Sequence, residues 1–149
     1  MQIAVLHGPN LNRLGVRNPA KYGSTTLADI QNDVDKTAAR LGDQALHFQS
    51  NSEVELIEWL HENQESTQGI VINPAGFSAY SYSLLDAVRD TFQPFAVVHI
   101  SQWHAIDGKE RHDIFASTAT TYLCGAGWRG YSMAFEAIHH KVLEAIPQP

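Results

Sequence analysis

A phenol and a guanidinium five positions apart, Tyr22 and Arg17, open the chemical reading of this chain. A cation beside a phenol stabilises the phenolate, which lets Tyr22 serve as a base near neutral pH. Further along stand an imidazole, His99, a hydroxyl, Ser101, and two amides, Asn10 and Asn73. A histidine facing such a base can act as general acid, and backbone N–H groups at Ile100 and Ser101 can hold a carboxylate. These are the tools for taking a proton from beside a carbonyl and expelling a leaving group, an elimination. Each residue also has a plainer reading. Asn10 and Asn73 adjoin prolines and suit turns, Tyr22 beside Gly23 suits loop packing, and a histidine ending an apolar strand is often a core group with its hydrogen bonds met.

Placement is what draws them together. Gln2–His7, Ala45–Gln49, Gly69–Asn73, Phe95–Ile100 and Thr121–Cys124 read as five short buried strands. Between them, helical periodicity runs over Thr26 to Leu41, where Leu27, Ile30, Val34, Ala38 and Leu41 share a face, with Ser24 or Thr25 as start signal and Gly42 as stop. Ser52-x-x-Glu55 reads as a capping box opening a helix to about Gln64. Further helices are expected over Ser81–Asp90 and Tyr131–Ile146. Buried strands separated by helices predict an α/β fold, a flavodoxin-like doubly wound five-stranded parallel sheet of order 2-1-3-4-5. Ligands in such sheets bind beyond the carboxyl ends of the strands. That rule brings Asn10, Asn73, His99 and Ser101 to one crevice, beside a long aperiodic loop, Gly8 to Ser24, that carries Arg17 and Tyr22.

Composition narrows the function classes. The 149 residues fit one domain, 1–149, and hold 10 Lys+Arg against 16 Asp+Glu, a net charge of −6. An acidic chain without a basic run is a poor partner for nucleic acid or an anionic membrane. Its apolar stretches are far shorter than the roughly 20 residues that span a bilayer. The single cysteine excludes a disulfide scaffold, and no grouping has metal-ligand spacing. A strand-like opening without a basic leader points to a cytoplasmic protein. Charged residues make up 17%, which is low enough to suggest that part of the surface is hidden in an oligomer.

Three segments resemble the type II 3-dehydroquinate dehydratases: HGPNLNRLGVRNPAKYG, which ends at Gly23, NPAGFSAYSYSLLDA from Asn73 to Ala87, and VHISQWHA from Val98 to Ala105. A later GAGWRGY, Gly125 to Tyr131, adds to the likeness. The resemblance implies conversion of 3-dehydroquinate to 3-dehydroshikimate and water, without a cofactor or metal. Carried over residue by residue, it implies Tyr22 as base, Arg17 lowering its pKa, and Asn10 helping to hold the water or oxygen that stabilises the enolate. His99 becomes the acid that protonates the departing hydroxyl. Asn73, Ile100 and Ser101 become the carboxylate site, and Asp86 reaches in from a neighbouring subunit. A trimer-based homo-oligomer, commonly a dodecamer, is implied as well.

The departures from that pattern cluster. A histidine that binds ring hydroxyls is here Ala79, and the glutamate that partners the catalytic histidine is Val97. An asparagine is Gln102, two arginines are Ile106 and Glu110, and a glutamate is Asn18. Val97 predicts a His99 without a carboxylate partner. The ungapped spacing from His104 to His112 predicts that Glu110, not Arg111, occupies the ligand position. Three readings stay open: the dehydratase itself, a paralogue acting on a related cyclic hydroxy-keto acid, and a non-catalytic binding or assembly protein.

Overall fold

A computed structural model describes residues 1–16 and 18–146, with the backbone alone at residues 21 and 22. Five strands, β1 (Gln2–His7), β2 (Gln44–Gln49), β3 (Gly69–Asn73), β4 (Phe95–His99) and β5 (Thr121–Cys124), form one sheet. All neighbours are parallel and their order is β2-β1-β3-β4-β5, as the sequence predicts. Helices α1 (Pro19–Tyr22), α2 (Leu27–Leu41), α3 (Glu53–Asn63), α4 (Tyr82–Asp90) and α5 (Trp103–Ile106) lie in the connections, and α6 (Gly130–Ala145) follows β5.

The strand alternation sorts side chains onto two cores. Ile3, Val5, Val71, Ala96 and Val98 pack under α2 and α6, with Ile30, Val34, Phe135 and Ile138. Ala4, Leu6, Ile70, Ile72, Phe95 and Val97 pack under α3 and α4, with Leu56, Leu60, Leu84 and Val88. Each fully buried large aliphatic residue contributes roughly 1.5–3 kcal/mol, so both layers hold the sheet strongly. The same alternation aims the strand-end residues. His7 and Asn73 continue the α2/α6 side, and His99 continues the side of Val97.

Several local expectations are corrected. Thr26, not Ser24 or Thr25, caps α2, in a reciprocal pair with Asp29. Ser52 caps α3, but the Glu55 carboxylate binds the Ser50 hydroxyl instead of returning to Ser52, so the box is only half closed. The Gly8–Ser24 segment is less open than a plain loop, because a 3-10 turn at Leu11–Arg13 and the short α1 lie within it. Cys124 is partly exposed and donates to Gln102 Oε1 at 3.2 Å. On α6, His139 is buried, with Nδ1 2.6 Å from Asp43 Oδ2.

Candidate active site

The strand ends enclose a cavity of about 360 Å³, lined by Asn10, Asn73, His99, Ile100, Ser101 and Trp103 among others. It sits at the carboxyl ends of β1, β3 and β4, where the strand order predicts it. Register does the positioning, since His7 of β1 lies opposite Asn73 of β3. Beyond them, Gly8 N donates to Asn73 O at 2.8 Å, and a Cβ on Gly8 would meet Pro74 O at 2.6 Å. Only glycine lets the two strand ends approach this closely. Asn10 then turns the chain in the left-handed region, φ 67°, a conformation asparagine tolerates, with its N–H on Asn51 Oδ1 at 2.9 Å.

Asn73 Oδ1 accepts the Ala75 N–H at 3.0 Å, which folds the Asn-Pro-Ala turn back on itself. Ala75 lines the cavity at φ 49°, a left-handed angle that strains any residue with a Cβ. On β4, His99 is 4% exposed and stacks on Trp103 with ring centroids 4.7 Å apart. Backbone bonds from Gly125 to His99 O and Ser101 O, and from Gly127 to Ile100 O, fix the turn that follows.

His99 does not lack a carboxylate partner. Its Nε2 lies 2.7 Å from Asp113 Oδ2, and Asp113 is itself 3% exposed. The same carboxylate accepts the Tyr122 hydroxyl at 2.9 Å and, through Oδ1, the Phe115 N–H at 2.9 Å. Burial acts to raise the Asp113 carboxyl, but the bonds from His99, Tyr122 and Phe115 outweigh it and hold the group below the usual carboxylate range. Tyr122 is pushed well up, by burial first and then by Asp113, so it stays a phenol and a donor. The expectation drawn from Val97 therefore fails. Val97 is apolar core, and the carboxylate arrives from the loop after α5. An acid 14 residues beyond a histidine has no periodic signature, so no sequence signal marked Asp113.

The loop end of the cavity departs from expectation too. Arg111 and Asp107 line it, whereas Glu110, Ile106 and Ala79 do not. Residues 107–111 turn tightly, with the Glu110 and Arg111 N–H groups both on Asp107 O, and this puts Arg111 on the inner side. Trp103 lines the cavity, while Tyr80 and Tyr82 are exposed. Asp86 lies elsewhere, on the exposed face of α4, in a shallow depression with Arg89, Asp90 and Phe92. Arg17 and the Tyr22 side chain lie outside the described residues. Among the described residues no cluster of His, Cys, Asp and Glu has metal-binding geometry, and no helix is long and apolar enough to cross a membrane.

An unoriented imidazole titrates but does not aim its proton. With Nε2–H held by Asp113, Nδ1 of His99 is the remaining ring nitrogen, and the ring borders the cavity. The site thus pairs a buried, oriented acid–base group with amide and hydroxyl donors at the strand ends. A profile of the dehydroquinase class II family matches residues 1–139. The 3-dehydroquinate dehydratase of Ectopseudomonas mendocina is 46% identical over 136 residues, 91% of this chain and 92% of that protein. That of Marinobacter nauticus is 45% identical over 141 residues, covering 94% and 97%. The crystal structure of a type II dehydroquinase from Propionibacterium acnes superposes with a TM-score of 0.87 at 34% identity, covering 93% of this chain and 96% of that one. Strand order, cavity position and these likenesses agree, and the chain belongs to the class II dehydroquinase family.

Proposed function

We propose that this chain dehydrates 3-dehydroquinate to 3-dehydroshikimate, the activity for which its relatives from Ectopseudomonas mendocina and Marinobacter nauticus are named. The observation that carries the reading is the buried His99–Asp113 pair opening onto the same cavity as Asn73 and Ser101. Tyr22, with its phenolate stabilised by Arg17, removes the proton from C2. The electron pair passes to the adjacent ketone as an enolate, and Asn10 holds the water or oxygen that stabilises it. His99, as imidazolium, gives its proton to the C1 hydroxyl. The C1–O bond breaks, the C1–C2 double bond forms, and water leaves. Asp113 keeps the imidazole ring aimed throughout and balances its positive charge. Asn73, the Ser101 hydroxyl and the backbone of Ile100 and Ser101 hold the carboxylate. Arg111 serves the ring hydroxyls in place of the side chains missing at positions 79 and 110.

The working unit is one domain, 1–149, in a trimer-based homo-oligomer of the cytoplasm, dodecameric in its full form. Two observations support the assembly. Asp86 stands outside its own chain's cavity, and Phe92 beside it is 93% exposed. A paralogue acting on a related hydroxy-keto acid is the second reading. It is favoured by the absence of residues 79, 106 and 110 from the cavity lining.

Growth of the conjugated enone absorbance on adding 3-dehydroquinate tests the proposal. Turnover by the native protein, abolished in Tyr22→Phe, is the expected result. No turnover at any attainable substrate concentration overturns it. Faster turnover of another cyclic hydroxy-keto acid transfers the same mechanism to the second reading.

A further inference from the structure

The turn Gly8-Pro9-Asn10 leads β1 to the cavity, and its backbone is held on both flanks. His7, the last residue of β1, pairs with Asn73 of β3 on one side and with Gln49 of β2 on the other. The β3 side supplies a backbone bond, from Gly8 N to Asn73 O at 2.8 Å. The β2 side supplies side chains that have no part in the reaction above. Gln49 Nε2 donates to Gly8 O at 3.2 Å and to Asn51 Oδ1 at 3.2 Å. Asn51 Oδ1 also accepts the Asn10 N–H at 2.9 Å. Asn10 O accepts the Arg13 N–H at 3.0 Å, which begins the 3-10 turn at Leu11–Arg13. Pro9 brings no N–H, so both backbone donors of the turn are engaged.

The orientation of both amides follows from the backbone groups they face. Asn51 meets a backbone N–H, so the atom there is its oxygen. Gln49 meets a backbone carbonyl, so the atom there is its nitrogen. The two side chains then meet each other donor to acceptor, and a ring of bonds closes from Gly8 O through Gln49 and Asn51 to Asn10 N without a mismatch. Stability is not what this ring supplies. Asn10 and Asn51 are exposed, so water can replace the bond to the Asn10 N–H at little cost. Water fixes no direction, however. Asn10 occupies the small left-handed region at φ 67°, and its backbone angles set where its side chain points along the cavity wall.

We propose that Gln49 and Asn51 are positioning residues, which together clamp the Gly8–Asn10 turn and so keep the Asn10 side chain aimed at the reacting ketone. The proposal rests on the reading of Asn10 as the group that holds the water or oxygen stabilising the enolate. Charge develops on that oxygen only as the proton leaves C2. A loosened Asn10 therefore costs rate and not binding.

Steady-state kinetics on 3-dehydroquinate test it. Asn10→Ala sets the scale, with a fall in kcat of about a hundredfold, the worth of one preorganised donor near an oxyanion. Asn51→Ala is expected to lower kcat about tenfold, with KM within about twofold and the thermal midpoint within about 2 °C of the native protein. Amide-to-acid exchanges then separate the two clamp residues. Asn51→Asp keeps an acceptor for both N–H groups and brings kcat back to within about threefold of native. Gln49→Glu sets a carboxylate against Gly8 O and Asn51 Oδ1, and lowers kcat at least as far as Asn51→Ala. In the Asn10→Ala background Asn51→Ala has no further effect. An equal fall in both backgrounds, or a loss in Asn51→Asp as deep as in Asn51→Ala, overturns the proposal. If Asn10→Ala lowers kcat and Asn51→Ala does not, the clamp fails while the reading of Asn10 stands. If Asn10→Ala leaves kcat unchanged, the reading of Asn10 fails and the proposal with it.

Discussion

The two ends of the cavity are built differently. At one end Asn73, His99, Ile100 and Ser101 sit on or just past β3 and β4, whose register and buried apolar residues leave them no freedom. At the other end Trp103, Asp107 and Arg111 ride on a single turn of helix and the loop behind it. The strand end keeps the residue types that the resemblance implies. The loop end has lost them at positions 106 and 110, and a cation one position along lines the cavity instead. The partner of His99 follows the same rule. Position 97 on the strand is apolar core, and the carboxylate is delivered by the loop at Asp113. A strand position is fixed by register, whereas a loop can carry the same charge on a different residue.

The sharpest way to break that contrast is Asp113→Asn. If the loop carboxylate aims His99, kcat falls about a hundredfold or more, in line with the worth of an oriented general acid, while KM moves by less than about threefold. Steady-state kinetics on 3-dehydroquinate check this. An unchanged kcat would mean that His99 needs no carboxylate.

The strand end carries its own signature in stability. His7 falls from 6.5 to about 3 on folding, through burial first and then His47. Between those values the unfolded chain binds more protons than the folded one, so stability is complete above about 6.5 and falls as pH falls. From pH 7 to pH 5 the loss from this one group is about 2 kcal/mol. Urea unfolding across that range measures it, and His7→Gln should flatten the slope.

At the loop end, Arg111→Ala should raise KM about tenfold, equivalent to about 1.4 kcal/mol, while Glu110→Ala leaves it within about twofold. Equal effects of the two substitutions would erase the distinction between lining and non-lining positions. The smallest effect belongs to the turn between the two ends. Ala75 holds φ 49°, and Ala75→Gly relieves that strain, stabilising the fold by up to about 1 kcal/mol in thermal unfolding.

The same contrast explains what could be read from the sequence. Alternating apolar runs and turn residues specify the sheet order, and the sheet order places Asn10, Asn73, His99 and Ser101 together. Those inferences need only periodicity and topology. Asp113 and Arg111 escaped because their roles depend on how an aperiodic loop turns, here with two N–H groups converging on Asp107 O. The clamp of Gln49 and Asn51 on the Gly8–Asn10 turn escaped for another reason. Its bonds join residues 41 apart in sequence, and only the pairing of β1 with β2 brings them together. Arg17 and the Tyr22 phenol, the pair that first suggested an elimination, lie outside the described residues.

A crystal structure with 3-dehydroshikimate bound tests the division most directly. The account predicts the carboxylate within hydrogen-bond distance of Asn73 Nδ2 and Ser101 Oγ, with the ring hydroxyls turned toward Arg111. A carboxylate paired instead with the Arg111 guanidinium would reverse the two ends and contradict it.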